Sequence, residues 1–300
     1  MMKKQVLILI IFTLFVFSCT NLKEKDDNTP LGTEGLTLEL YTSNYLLFAE
    51  QGSELPFTIK ITNKGWSKAE NIVLTASGYD ESLISVTFND KIPNEIEGKS
   101  MYMKVSIPEI VSGNIKLKDA NIIKEDFSFN ILFNLCYKYK TIFYDSFCVE
   151  PLNTINLRRK VCSALPKEYS KGQGAPLVIT KIEPTVTNNK IIVTYTIEKR
   201  SGTEIYYPDS SNNEKCGIIN YKELRRFKVV STSIGDTESD NCKNKEFYLD
   251  ESGKRTKITC TYPINTKNIN APYVTTITLE LEYYVYQSYF SPEIKVFKLE

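Results

Sequence analysis

The sequence contains no histidine in 300 residues. That absence removes the base of a Ser-His-Asp or Cys-His catalytic system and the imidazole ligands of the His-containing zinc sites. Neither a P-loop nor a dinucleotide-binding glycine fingerprint is present. No Cys-x-x-Cys occurs, which removes the common redox pair and the paired knuckles of a zinc ribbon. No cofactor and no metal are therefore expected. Carboxylates remain available for catalysis, as in Glu280 with Glu282 of "TLELEYYVY". At a spacing of two they share one face of a strand, which is also how a solvated face reads.

A membrane-spanning run is missing as well. The apolar run from Val6 to Phe17 has about 12 residues, short of the ~20 that a spanning helix needs. It follows Lys3 and Lys4 and ends at Ser18 and Cys19, the layout of an export signal. Cys19 at the break resembles the lipobox of exported lipoproteins, in which the new N-terminal cysteine carries the lipid. Val16 and Ser18 fit that pattern, and Phe17 fits it less closely. An uncleaved signal anchor is the alternative, with the same outward orientation. Residues 1–19 are thus read as a signal peptide and 20–35 as a polar tether, with the remainder on the extracellular face of the membrane. The signal carries two lysines and no acid, so its removal takes the formal charge from +1 to −1. Such a near-neutral chain offers nucleic acid no electrostatic footprint.

What is present in quantity is aromatic. Aromatic residues make up 12% of the chain, nineteen of them tyrosine, which favours strands over helices. In "LTLELYTSNYLLFAEQGSELPFTIKITNKGWSKAENIVLTASG" strands are expected at Leu36–Tyr41, Leu55–Thr62 and Asn71–Ser77. Leu55, Phe57, Ile59 and Ile61 fall on one face, the half-buried pattern of an antiparallel sheet. Further strands are expected at Ile84–Phe88, Ser100–Ile107 and Glu125–Leu135, with "EGKS" and "PEIVSGN" as turns. Short strands between turn signals predict a β-sandwich over residues 36–135.

The string "FTIKITNKGWSKAENIVLTASG" is similar to the CARDB-like, immunoglobulin-type modules of archaeal and bacterial cell-surface proteins. Asn63, Gly65, Ala69 and Asn71 stand where that family has its strand, Asn-x-Gly turn, small residue and second strand. Asn and Gly tolerate the left-handed region that such a turn uses. Residues 136–175 resemble a connector of archaeal surface proteins, with Cys136-Tyr137-x-Tyr139-x-Thr141, Cys148-Val149-Glu150-Pro151 and Gly172-Gln173-Gly174-Ala175-Pro176 as the matching positions. The resemblance implies two tandem immunoglobulin-like sandwiches and carries no activity with it.

The second sandwich is expected over residues 176–300, with strands at Leu177–Glu183, Lys190–Lys199, Leu224–Thr232, Lys257–Tyr262, Val274–Tyr286 and Ile294–Leu299. Six cysteines remain beyond Cys19, an even number that in an exported chain reads as three disulfides. Sequence does not fix their connectivity. The expectation is the two local pairs, Cys136–Cys148 and Cys242–Cys260, which leave Cys162 for Cys216.

Residues that could form a binding surface are Trp66, Tyr284, Tyr286, Arg225 and Arg226. Trp66, the single tryptophan, reads either as a ligand platform or as a lid on the end of a sandwich. Tyr284 and Tyr286 share a strand face, suited to ligand contact or to cross-strand packing. Arg225 and Arg226 belong to the basic text "YKELRRFK", which with "KNK" and "GKRTK" would face anionic glycans or lipid head groups, or else deter edge pairing. The functional expectation is a non-enzymatic cell-surface binding or adhesion module, with a cell-envelope protein or glycan as partner and the membrane reached through the N-terminal anchor. The alternatives are a structural stalk of the envelope and a carboxylate-based glycan-acting enzyme.

Overall fold

Alternating apolar residues set the strands of the N-terminal part. In the computed structural model, which describes residues 30–50, 52–119, 123–154, 160–200, 202–208, 216 and 222–298, these are β1 (Leu36–Thr42), β2 (Leu46–Phe48), β3 (Glu54–Asn63), β4 (Ala69–Ser77), β5 (Ile84–Phe88), β6 (Glu95–Ile96), β7 (Glu109–Leu117) and β8 (Phe127–Phe129). A long β9 (Leu132–Val149) crosses the middle of the chain. The C-terminal part adds β10 (Lys167–Glu168), β11 (Leu177–Val186), β12 (Ile191–Lys199), β13 (Glu204–Tyr206), β14 (Arg226–Ile234), β15 (Thr237–Glu238), β16 (Lys245–Tyr248), β17 (Arg255–Tyr262), β18 (Tyr273–Phe290) and β19 (Ile294–Phe297). The described residues are all-β, with no α-helix.

Two four-stranded antiparallel sheets, β1-β3-β7-β5 and β10-β11-β12-β17, lie against an eight-stranded sheet of order β15-β14-β18-β9-β4-β6, on which β13 pairs with β18 and β16 with β14. Its central pair, β9 and β18, stays in register from Leu132↔Phe290 to Val149↔Tyr273. Eighteen residues at ~3.4 Å each make a ladder about 60 Å long. Odd-numbered residues of both strands face the core, among them Phe133, Tyr139, Phe143, Ile277 and Tyr283. Near one end the first sheet packs through Phe57 on Phe133, ring centres 5.5 Å apart. Towards the other end the second sheet brings the Tyr195 and Tyr262 hydroxyls to Thr232 Oγ1 of β14, at 3.3 and 2.6 Å. One apolar cluster runs through both halves. In the small sheet β2-β19-β8, the C-terminal β19 returns to the N-terminal part.

Three sequence expectations change here. The boundary expected at residue 136 falls inside β9, because the aromatic run that reads as a connector is the core face of a continuing strand. The strand expected at Ser100–Ile107 is a segment of bends. Ser100 Oγ accepts the Met103 amide at 3.0 Å and the Ser100 amide reaches the Met103 carbonyl at 2.9 Å, a local turn that competes with any ladder. Its large side chains stay outside, Tyr102 at 97% exposure. Conversely, "PEIVSGN" contributes to β7, and Gly113 sits in mid-strand because a Cβ there would run into the ring of Phe57 and the Thr87 carbonyl.

The segments that carry the family resemblance meet in space. Asn63, fully buried, accepts the Gly65 amide and the Tyr139 hydroxyl and donates to the Ser67 and Ile96 carbonyls. The Trp66 amide bonds the Gly174 carbonyl at 2.9 Å, and the Gly174 amide bonds Gly32 at 2.8 Å. Asn71, at φ 54°, sits where the β4–β9 register shifts.

Candidate functional site

The residues singled out in the sequence do not form one site. Cys19 lies outside the described residues. Trp66 is half-buried, its indole held against Gly174. Tyr284 is 1% exposed and packs in a small cluster with Cys136 and Tyr206, so it belongs to no open surface. Tyr286, beside it, donates to Asn134 Oδ1 at 2.8 Å. Arg226 is buried beside Glu246, and the Arg225 guanidinium is used on the carbonyls of Glu251 and Asp250, closing the turn before β17. These five are thus engaged in the fold, and Tyr284 and Arg226 are corrected from surface to interior.

The disulfides also differ from expectation. Cys136 bonds Cys216, and Cys148 bonds Cys162, with Cα separations of 5.6 and 5.8 Å. Cys136 and Cys148 cannot meet, because both stand on β9 twelve residues apart, ~40 Å along an extended strand. Cys242 bonds Cys260, Cα atoms 5.5 Å apart. The carboxylate pair of β18 is engaged by lysines of β9, Glu280 by Lys140 at 2.8 Å and Glu282 by Lys138 at 3.2 Å. The hydrogen bond from Lys140 to Glu280 raises the lysine pKa.

What the fold does build is a groove of about 610 Å³ on the outer face of the second sheet. Strand alternation makes it: Ile191, Val193, Tyr195 and Ile197 of β12 turn into the core, so Thr194, Thr196 and Glu198 turn out. Register then aligns a row across four strands. Glu168 stands opposite Lys181, Lys181 opposite Thr196, and Thr196 opposite Lys257. One step along, Glu198 faces Arg255.

Two carboxylates in this field are each shared by two cations. Glu198 takes Arg255 and, at 3.1 Å, Arg200. Glu183 takes Lys181 at 3.0 Å and Lys257 at 3.6 Å. The hydrogen bond from Lys181 holds the Glu183 carboxyl below its ordinary pKa, and the same bond raises that of Lys181. Glu168, on the rim, lies 3.8 Å from Lys181. At the floor, Thr196 is 3% exposed and its hydroxyl has no hydrogen-bond partner among the described residues. Tyr169 forms one wall, edge-on to Phe143 with its hydroxyl on Asp145 at 2.6 Å. Of the residues in this groove, only Arg255 and Lys257 lay in text that the sequence marked as basic. Lys181 and Thr196 become neighbours through strand register, which no local motif records.

No family model matches the chain. No curated protein matches it either. Among solved structures it is similar to the secreted serine protease VesC from Vibrio cholerae, at 8% identity and a TM-score of 0.22, over 89% of this chain and 52% of that one. The chain thus spans about half the length of that structure. A likeness of that depth carries no argument about fold or activity.

Proposed function

We propose that this protein is an exported, lipid-anchored, non-enzymatic binding module of the cell surface, built from two immunoglobulin-like sandwiches that share a sheet. The observation that carries the proposal is the groove on the outer face of the β10-β11-β12-β17 sheet, a concave polar surface with a buried hydroxyl at its floor. Three disulfides support an oxidising exterior, and the Lys3–Cys19 segment supports attachment by lipid at Cys19. The partner on this reading is a glycan or protein of a cell envelope.

The test is made on the native protein in its own cells. Intact-mass analysis is expected to find an acylated Cys19 at the N-terminus and three disulfides, and protease added to whole cells is expected to remove the protein. A chain with free thiols, or one protected from external protease, overturns the proposal.

A further inference from the structure

We propose that the segment 100–107, between β6 and β7, seats its end of the molecule on a lipid bilayer, with the side chains of Met101, Tyr102, Met103, Val105 and Ile107 entering the headgroup region. The proposal rests on the lipid-anchored reading of the N-terminus and adds a second, reversible contact with the same membrane.

The segment reads "SMYMKVSI", and five of its eight residues are large and apolar. Side chains of that kind are ordinarily inside a fold. Here Tyr102 is 97% exposed, Val105 77% and Ile107 70%, with Met101 and Met103 exposed beside them. One such residue needs no explanation, but five within a stretch of seven make a patch of the kind that marks an interaction surface. The patch is held open from both ends. The Lys99 amide bonds the Gly65 carbonyl at 2.8 Å, and the buried Ser106 donates its hydroxyl to the Glu97 carbonyl at 3.3 Å. Between these two anchors the turn from Ser100 to Met103 closes on itself, and the apolar side chains stay in solvent.

The place of the segment in the fold decides its occupant. Gly98 lies against the backbone of Trp66, the Trp66 indole lies against Gly174, and Gly174 meets the Leu31 carbonyl. The point where the chain enters the described fold from its tether therefore shares one end of the molecule with the apolar segment. Eleven steps of at most ~3.6 Å separate Cys19 from Pro30, about 40 Å when fully extended. A lipid on Cys19 thus keeps this end within reach of a bilayer. The side chains suit that neighbour. A tyrosine at the headgroup level buries its ring while its hydroxyl stays wet, and methionine adapts to an irregular surface. Lys99 and Lys104 are balanced by Glu97 and Glu109, so the contact is apolar and selects no anionic lipid.

The test uses the mature chain, residues 19–300, with Cys19→Ser so that no lipid is attached. It is floated with vesicles of phosphatidylcholine alone and of phosphatidylcholine with about one-third phosphatidylglycerol. Equal flotation with both vesicles, unchanged by salt, is expected. Tyr102→Asp combined with Val105→Asp should lower the partition coefficient at least about tenfold. Both side chains are exposed, so its unfolding temperature should be that of the parent chain. Tyr144→Asp, at an exposed position of β9, should float as the parent does. Tyr102→Trp should gain emission that lipids brominated in their acyl chains quench, beyond what Trp66 shows in the parent.

No flotation of the parent chain, full flotation of the double Asp variant, an equal loss in Tyr144→Asp, or flotation confined to anionic vesicles and abolished by salt would each overturn the proposal. So would a dimer in lipid-free solution that the double variant dissolves, because the patch would then belong to a second copy. Mass and protease results at the cell surface test the anchor and do not depend on this segment, so the two readings fail separately.

Discussion

Tyr139 donates its hydroxyl to Asn63 Oδ1 at 3.1 Å, the same atom that receives the Gly65 amide at 3.0 Å. One residue stands on the shared sheet and the other at the end of β3, so this oxygen fastens the first sheet to the shared one. The Asn63 carboxamide is complete, because its nitrogen donates to two carbonyls as well.

Tyr139→Phe removes one of these bonds and leaves Asn63 Oδ1 with its other donor, so a loss of about 1 kcal/mol is expected in urea unfolding. Asn63→Ala strands a buried hydroxyl, an amide and two carbonyls at once, for which ~3 kcal/mol or more is expected. The double variant should be less destabilised than the sum, since the two residues share one bond.

Gly174→Ala is expected to be strongly destabilising. Its φ is +66°, and an added Cβ would overlap the Trp66 indole. Trp66 is the single tryptophan, so its fluorescence reports the change directly. A variant with wild-type emission and an unchanged unfolding midpoint would show that the joint tolerates a side chain.

Replacing Cys148 and Cys162 together by Ser should cost about 3 kcal/mol, since the bond closes a loop of 14 residues. Peptide mapping without reduction should recover Cys136 with Cys216 and Cys148 with Cys162. A fragment joining Cys136 to Cys148 would contradict the eighteen-residue β9.

Asp145 gives a pH dependence. Burial alone would raise its pKa, but hydrogen bonds from Tyr169 and then Lys167 outweigh that and hold it below the ordinary value. A carboxyl whose folded pKa is depressed stabilises the fold above its unfolded value of roughly 3.9, and that contribution fades as pH falls through the folded value. Asp145→Asn should therefore be less stable at neutral pH and should lose less than wild type on acidification from about pH 5 to about pH 2. Thermal unfolding across that range measures both.

Much of the strand pattern is legible in the sequence, because Leu55, Phe57, Ile59 and Ile61 alternate and their partners alternate too. The all-β class follows from that alternation and from the tyrosine content. Less legible is anything fixed by distance along the chain. Gly113 has the look of turn punctuation until Phe57 is placed over it, and Ser100 ends a strand-like run through a bond to its own neighbour. The cysteines illustrate the same limit: proximity in sequence suggested Cys136 with Cys148, while a single extended strand drives them to opposite ends. The groove was half visible, as the basic residues Arg255 and Lys257. Thr196 carries no sequence signal, since a threonine in a β-strand is ordinary until its hydroxyl is found buried and unpaired among the described residues.

The eighteen-rung pairing of β9 with β18 also has a mechanical consequence. A surface module of the kind proposed, held at one end and gripping a ligand at the other, would be pulled along its length. Tension along these strands would load the rungs in shear, so that many hydrogen bonds must break together, whereas a peeling load would break them one at a time. Cys136–Cys216 and Cys148–Cys162 clamp β9 near both ends of that ladder. Along β9 and β18 the molecule is braced against extension.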